Sequence, residues 1–294
     1  MKTNRDRLVR TSVTGVVSDP ACGMAPMLVG SGGIALAFFG TGGVAINVRV
    51  GDPAFGWEAD HIEPGVSLVQ ADPVKKGALA NLACVGNVAV VVKAAMNDVE
   101  KIVGSRGIVT GKHGGAERLI VWFDSRTVAA ITPDDVIRIE AWGINFGLPD
   151  WPELLPRSLS PELFDRLPIR EESGKLRIGV SRILPGSLMG SGVGSGNTLR
   201  GDVDIQSTDA AAVKLHGLDG LRLGDIVAIA DFDTTFGASM RQGAVTIGVI
   251  IHGASRLSGH GPGVTTLLSA ADARRIEAYE TPVNLAELYG LAGR

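Results

Sequence analysis

Apolar positions along the chain fall into short runs separated by turn residues, with few long helical stripes. GVAINVRVGD (43–52), NVAVVVKAAM (87–96), RLIVWFD (118–124), DVIRIEAWG (135–143), KLRIGVSRIL (175–184), DIVAIADFD (225–233) and AVTIGVIIHG (244–253) are rich in Val and Ile. Each is bounded by Gly, Pro or Asp, which predicts strands. Helices are predicted where an N-cap residue meets a helix start: Asp72-Pro73 before VKKGALANLACV, Ser160-Pro161 before ELFDRL, Ser269 before AADARRIEAYE, and Asn284 before LAELYGLAG. TPDDVIRIEAWG and LRLGDIVAIADF each carry a turn ending in Asp followed by an alternating strand. The expected fold is therefore mainly β, of the α+β kind: two β-rich barrel- or sandwich-like halves with a few short helices. Residues 1–150 form the N-terminal part, a proline-rich connector covers 151–175, and residues 176–294 form the C-terminal part with terminal helices.

Composition narrows the function classes. At 294 residues, 45% of them hydrophobic and 20% charged, the chain is globular and can bury a substantial core. A net charge of -3 offers no basic footprint for nucleic acid or anionic lipid, so a small-molecule substrate is the expected partner. Forty glycines, about twice average usage, imply many tight turns and close backbone approaches. Cys22 and Cys84 make no disulfide framework. The charged start MKTNRDRLVR carries no secretory core, and there is no run of about eighteen apolar residues, so a cytoplasmic location is expected. Strand edges that must be hidden suggest a homo-oligomer.

Candidate chemistry gathers in four places. In VGDPAFGWEADHIEPGVSL (50–68), Asp60, His61 and Glu63 offer the imidazole and carboxylate donors that Zn, Mn or Fe accepts. Extended geometry would set His61 and Glu63 on one face and turn Asp60 away. In VTGKHGGAERLIVWF (109–123), Lys112 and His113 lie between glycines, in a loop where Lys112 could hold an oxyanion and His113 could move a proton or bind metal. LMGSGVGSGNTLRGDVDIQSTD (188–209) is not a dinucleotide fingerprint, because a strand and not a helix follows its glycines. Gly192 and Gly194 there could cradle an anion beside Asp202, while Asp202 and Asp204 share one face of the strand and Asp204 suits metal ligation. Lastly, His252 ends a strand and His260 sits in the turn SGHGPG, a metal ligand and a proton carrier respectively.

VGDPAFGWEADHIEPGVS, VTGKHGG, GDVDIQ and GAVTIGVIIHGASRLSGHGPGV resemble an uncharacterised bacterial and archaeal family, a domain of unknown function recognised as N- and C-terminal parts. That resemblance implies a two-part chain and no particular chemistry. More distantly, GDVDIQ is similar to the Gly-Asn-Met-Asp-Ile stretch of the acetamidase/formamidase family, matching Asp204 to its Asp, and LRLGDIVAIAD is similar to a strand entering its site. This resemblance implies a metal-dependent amidase. The function expected is thus hydrolysis of small, even cyclic, amides. A divalent metal would be held by some of Asp60, His61, Glu63, Asp204 and His252, with His260 or His113 moving protons and Lys112 facing the oxyanion. Two other classes stay open: a non-catalytic protein that binds a small anion or metabolite on its glycine loops, and a metal-free acid/base isomerase or lyase.

Overall fold

Alternation of inward Val and Ile with outward polar residues builds the first half of the molecule. The computed structural model describes residues 1–20, 27–37, 42–96 and 102–291, so Cys22 lies outside the described residues. Nine strands occur there in chain order: β1 (Thr11–Val17), β2 (Met27–Val29), β3 (Ala35–Ala37), β4 (Val44–Ala45), β5 (Gly65–Val69), β6 (Val88–Lys93), β7 (Arg106–His113), β8 (Arg118–Trp122) and β9 (Val136–Ala141). The antiparallel pairings run β1-β9-β6-β7-β8-β5, and β5 pairs back with β1, closing a six-stranded barrel. β4 adds to β5, and β2 and β3 form a separate hairpin. In β9, Ile137, Ile139 and Ala141 point inward while Arg138 and Glu140 point away. Val13, Val66, Leu68, Val91, Val109 and Val121 join them in one core, so side chains fill the barrel interior. Helix α1 (Pro73–Leu82) lies against β1 and inserts Leu79; its start is fixed as expected, with the Asp72 carboxylate accepting from Val74 and Lys75 amides.

The remaining strands are β10 (Leu155–Pro156), β11 (Ile169–Glu172), β12 (Lys175–Val180), β13 (Arg182–Pro185), β14 (Asp202–Asp204), β15 (Ile226–Asp233), β16 (Ser239–His252), β17 (Gly263–Ala270) and β18 (Ile276–Glu280). The short helices are α2 (Ser125–Val128), α3 (Pro161–Arg166), α4 (Ala210–Leu215) and α5 (Leu285–Tyr289). β10-β17-β16-β15-β13 form the main C-terminal sheet, with β14 also pairing β17, and β11-β12-β18 form a smaller one. Both faces of the main sheet are covered. Ile226, Ala228, Ile247 and Val249 pack against Trp151, Leu154 and Leu163 on one side, whereas Val227, Ile229, Phe232 and Ile250 pack with Leu184, Leu218 and Leu223 on the other. That double burial explains why these strands read as continuous apolar runs.

Several expectations are corrected. Only Val44 and Ala45 of 43–52 are strand, because the chain bends at Ile46 and Asn47 and turns again at Gly51 (φ 103°). Residues 269–280 are not a helix: Ser269 belongs to β17, and Ile276–Glu280 is drawn into a parallel ladder with β12, a tertiary pairing that overrides helix propensity. The 175–184 run breaks at Ser181 into two strands. The proline-rich segment is packed: Trp151, Leu154 and Leu159 are buried, and Arg157 and Ser158 amides bond to the Leu267 and Thr266 carbonyls. Among the described residues no helix is long and apolar enough to cross a membrane.

Candidate metal centre

β7 lies across β16 and β17, and this contact assembles the site. The outer half of β7 loses its alternation, and every residue from Val109 to His113 is buried because the C-terminal sheet covers it. Gly111 makes the approach possible, since a Cβ there would collide with the Ile251 side chain. Lys112 is pinned on both sides of its peptide by Thr265, whose hydroxyl accepts from the Lys112 amide and donates to its carbonyl, each at 3.0 Å. His113 at the end of β7 thereby meets His252 at the end of β16, with ring centroids 4.3 Å apart. So Lys112 and His113 are strand residues and not loop residues, on opposite faces.

Strand β14 supplies the carboxylates from the other side. Asp202 pairs with Thr265 and Asp204 with Gly263 of β17, while His252 of β16 also stands opposite Gly263. A glycine is required between them, because a Cβ at position 263 would run into the Asp202 carboxylate and the His252 ring. His61 comes from the loop before β5 in a left-handed conformation (φ 51°), and His260 comes from the Gly259–Gly263 turn. Four of the five histidines meet here. His61 is 4.9 Å from His252 and 5.0 Å from His260, centroid to centroid.

Hydrogen bonding orients each ring. His61 Nδ1 is 2.6 Å from Asp60 Oδ2, His113 Nδ1 is 2.5 Å from Glu63 Oε1, and His252 Nδ1 is 2.9 Å from the Gly253 carbonyl. A proton on Nδ1 of His61 and His113 satisfies these acceptors and leaves Nε2 with a lone pair, the arrangement by which outer groups orient metal-binding imidazoles. His252 Nδ1 also stands 3.3 Å from the Gly263 amide, which donates to it, so either tautomer of His252 finds a partner. Two triads have donor atoms within 4.8 Å of one another: His61, Asp204 and His252; and His113, Asp202 and His252. The triads share His252 and differ in both the second histidine and the aspartate. His252 Nε2 and Asp202 Oδ2 are buried 2.9 Å apart, at ion-pair distance, and neither atom makes a well-aligned hydrogen bond to any other group. Two such atoms facing one another need a cation beside both, or a proton on the ring, and burial makes an unpaired arrangement costly.

The charges are strongly perturbed. Burial by itself would raise the Asp204 carboxyl, but contacts with His252, His260 and His61 outweigh it and hold the group far below the usual carboxylate range. Asp202 is lowered in the same way, burial opposing and His252 and His113 prevailing. Burial also opposes the charge on His252, yet the two aspartates raise it well above an ordinary histidine, and His61 is raised by Asp204 and Asp60 against the same penalty. A site that pulls this hard on protons without metal is one where a divalent cation can take the protons' place.

Some assigned roles change. Asp60 and Glu63, expected as ligands, stand behind the candidate ligands His61 and His113: Asp60 also accepts from the Arg256 amide and the Ser255 hydroxyl, and Glu63 from Ser67, with Arg118 at 3.7 Å. Asp60 does not turn away, because the left-handed His61 breaks the extended geometry. His113 and Asp202, expected as proton carrier and substrate contact, stand among the candidate ligands. Lys112 does not face the cluster; its buried Nζ donates to the Leu199 carbonyl at 2.7 Å, and burial depresses it to about 8. His260 keeps a partly exposed ring, with Nδ1 at 2.9 Å from Asp204 and 3.1 Å from His61 Nε2. His113, Asp202, Asp204 and His260 form one wall of a cavity of about 380 Å³, also lined by Ser191, Gly192, Ser195, Asn197 and Arg200, while His61 and His252 are not in its lining. Gly194 is not in that lining, and its amide is already spent on the Ala238 carbonyl at 2.7 Å. Arg200 escaped the sequence reading, although SGNTLRGD sets one cation inside the glycine loop.

A β-rich protein built in two parts, each giving side chains to one buried His/Asp cluster, is the class these features define. The chain belongs to the family described as domain of unknown function DUF4438: the N-terminal model matches residues 27–165 and the C-terminal model residues 166–289. It is similar over its length to TM1086, known from a crystal structure, with TM-score 0.91, 38% identity, and 98% of this chain and 99% of that one covered. No curated protein matches the chain. The family resemblance seen in the sequence is thus correct, whereas none of these findings links the chain to the acetamidase/formamidase family.

Proposed function

We propose that the protein is a hydrolase of small amides, cyclic ones included, that depends on one divalent metal ion. The observation that carries this reading is the convergence of His61, His113 and His252 with Asp202 and Asp204 beside a cavity that His113, Asp202 and Asp204 line, with a fully buried His252–Asp202 ion pair at its centre. Mixed imidazole and carboxylate donors suit Zn, Mn or Fe. Bound there, the ion would polarise a carbonyl and acidify water. His260, partly exposed and hydrogen-bonded to Asp204, is the proton carrier: it takes a proton from water as oxygen adds to the carbonyl carbon, and returns it to the nitrogen as the C–N bond breaks. Asp60 and Glu63 keep the His61 and His113 rings aimed.

The test is elemental analysis of untagged protein, followed by an amide and lactam screen. Near-stoichiometric metal in the wild type, lost together with hydrolysis in His61→Ala, is the expected result. An anion-binding protein without metal, or an acid/base lyase, predicts no metal even after incubation with Zn, Mn or Fe, and that result removes the proposal.

A further inference from the structure

We propose that Arg200 is the specificity residue of this site, and that the substrate is a small monoanion whose carboxylate pairs with Arg200 while its amide faces the His/Asp cluster. The inference rests on the metal-dependent reading above and extends it to the substrate. It starts from the charges that line the cavity: Lys76, Glu117, Arg200, Asp202 and Asp204. Lys76 is ion-paired with Glu117. A divalent ion would offset the two aspartates. Arg200 is left over, and among the described residues no carboxylate pairs with its guanidinium. The cavity as a whole therefore carries one uncompensated positive charge.

The loop that bears Arg200 is built to stay in place. Lys112 Nζ holds the Leu199 carbonyl from below at 2.7 Å, Arg157 donates to the Thr198 hydroxyl at 3.2 Å, and that hydroxyl donates to the Thr234 carbonyl at 2.8 Å. At its far end the loop touches the backbone of Gly114, directly after His113. The backbone that carries Arg200 and a candidate metal ligand are thus held on one frame, from which the exposed Arg200 side chain reaches the cavity. The guanidinium lies beside Gly77 of α1, where a Cβ would meet Nη2 at 3.4 Å, ordinary contact. A planar guanidinium accepts a carboxylate in two parallel hydrogen bonds, and one such cation matches one carboxylate better than a phosphate dianion. A cavity of about 380 Å³ is at the small end of ligand sites.

Calorimetry on metal-loaded protein tests this with malonamate and succinamate against the neutral malonamide and succinamide, with metal content measured on the same samples. The expected result is that the better-fitting anion binds about tenfold more tightly than its neutral partner. Arg200→Met should erase that preference and Arg200→Lys should restore part of it, with metal content unchanged in both. If metal is bound but the preference is absent, or survives in Arg200→Met because the anion sits on the ion alone, this inference fails and the hydrolase reading stands. Tighter binding of inorganic phosphate than of either carboxylate also overturns it. If no metal is bound, both fail together.

Discussion

Lys112 should make the protein more stable in mild alkali. Its ammonium is fully buried, with one hydrogen bond to the Leu199 carbonyl, and burial lowers it from 10.5 to about 8. A lysine with a lowered folded value favours the neutral form in the native state. Below pH 8 both states hold the proton and folding bears the whole burial cost. Between pH 8 and 10.5 the native chain has released the proton while the unfolded chain retains it, so stability rises with pH. A shift of about 2.5 units corresponds to about 3 kcal/mol, an upper figure. Lys112→Met removes the titration and also leaves the Leu199 carbonyl without this donor, which costs about 1–3 kcal/mol. The two effects offset near neutral pH. Urea unfolding of both proteins, in chelator from pH 7 to 10.5, reads the difference between them. The wild type should gain up to about 3 kcal/mol on the variant across this window. A difference that stays flat with pH would mean that the ammonium is fully compensated where it lies, and the reasoning would be wrong.

Two further outcomes are expected. Saturation with the correct metal at about a hundred times Kd should stabilise the chain by about 2.7 kcal/mol, seen as a rise in Tm over chelated protein. The rise should vanish in His252→Ala, and an equal rise in that variant would place the ion elsewhere. Gly263→Ala should abolish metal binding, because the new methyl group takes the space between the Asp202 carboxylate and the His252 ring. Full metal content in that variant, by elemental analysis, would show that the two side chains do not share an ion.

The sequence made the residues legible but not all of their roles. Period-two apolar runs identified β6, β8, β9, β15 and β16, and N-cap chemistry at Asp72, Ser160 and Asn284 located three helices correctly. β1 was missed because its alternation is carried by Thr, Ser and Gly around few apolar residues. β7 was missed because glycines in VTGKHGG read as a loop, whereas Gly111 is there to let Ile251 approach. The four histidines and four acidic residues singled out in the sequence come together in the structure; titratable side chains in glycine-rich stretches are visible in any sequence. Their division into ligands and supports was not visible. It depends on which ring nitrogen meets which carboxylate, and at His61 a single left-handed residue reverses the result that strand periodicity gives for Asp60.

That division has a consequence for how the two parts of the chain depend on each other. His61 and His113, with Asp60 and Glu63 behind them, fall within the part matched over residues 27–165, while Asp202, Asp204, His252 and His260 fall within the part matched over 166–289. Neither part holds a complete triad, since each triad joins one histidine of the first part to an aspartate and His252 of the second. The contact that brings them together is ordinary packing of β7 on β16 and β17, permitted by Gly111 and fastened at Thr265. An ion bound there ties the two parts across that contact, and its binding free energy is added to the stability of the contact. If the proposed ion binds there, substitutions that loosen β7 against β16, such as Gly111→Ala, should lower metal affinity in a metal titration without touching a candidate ligand.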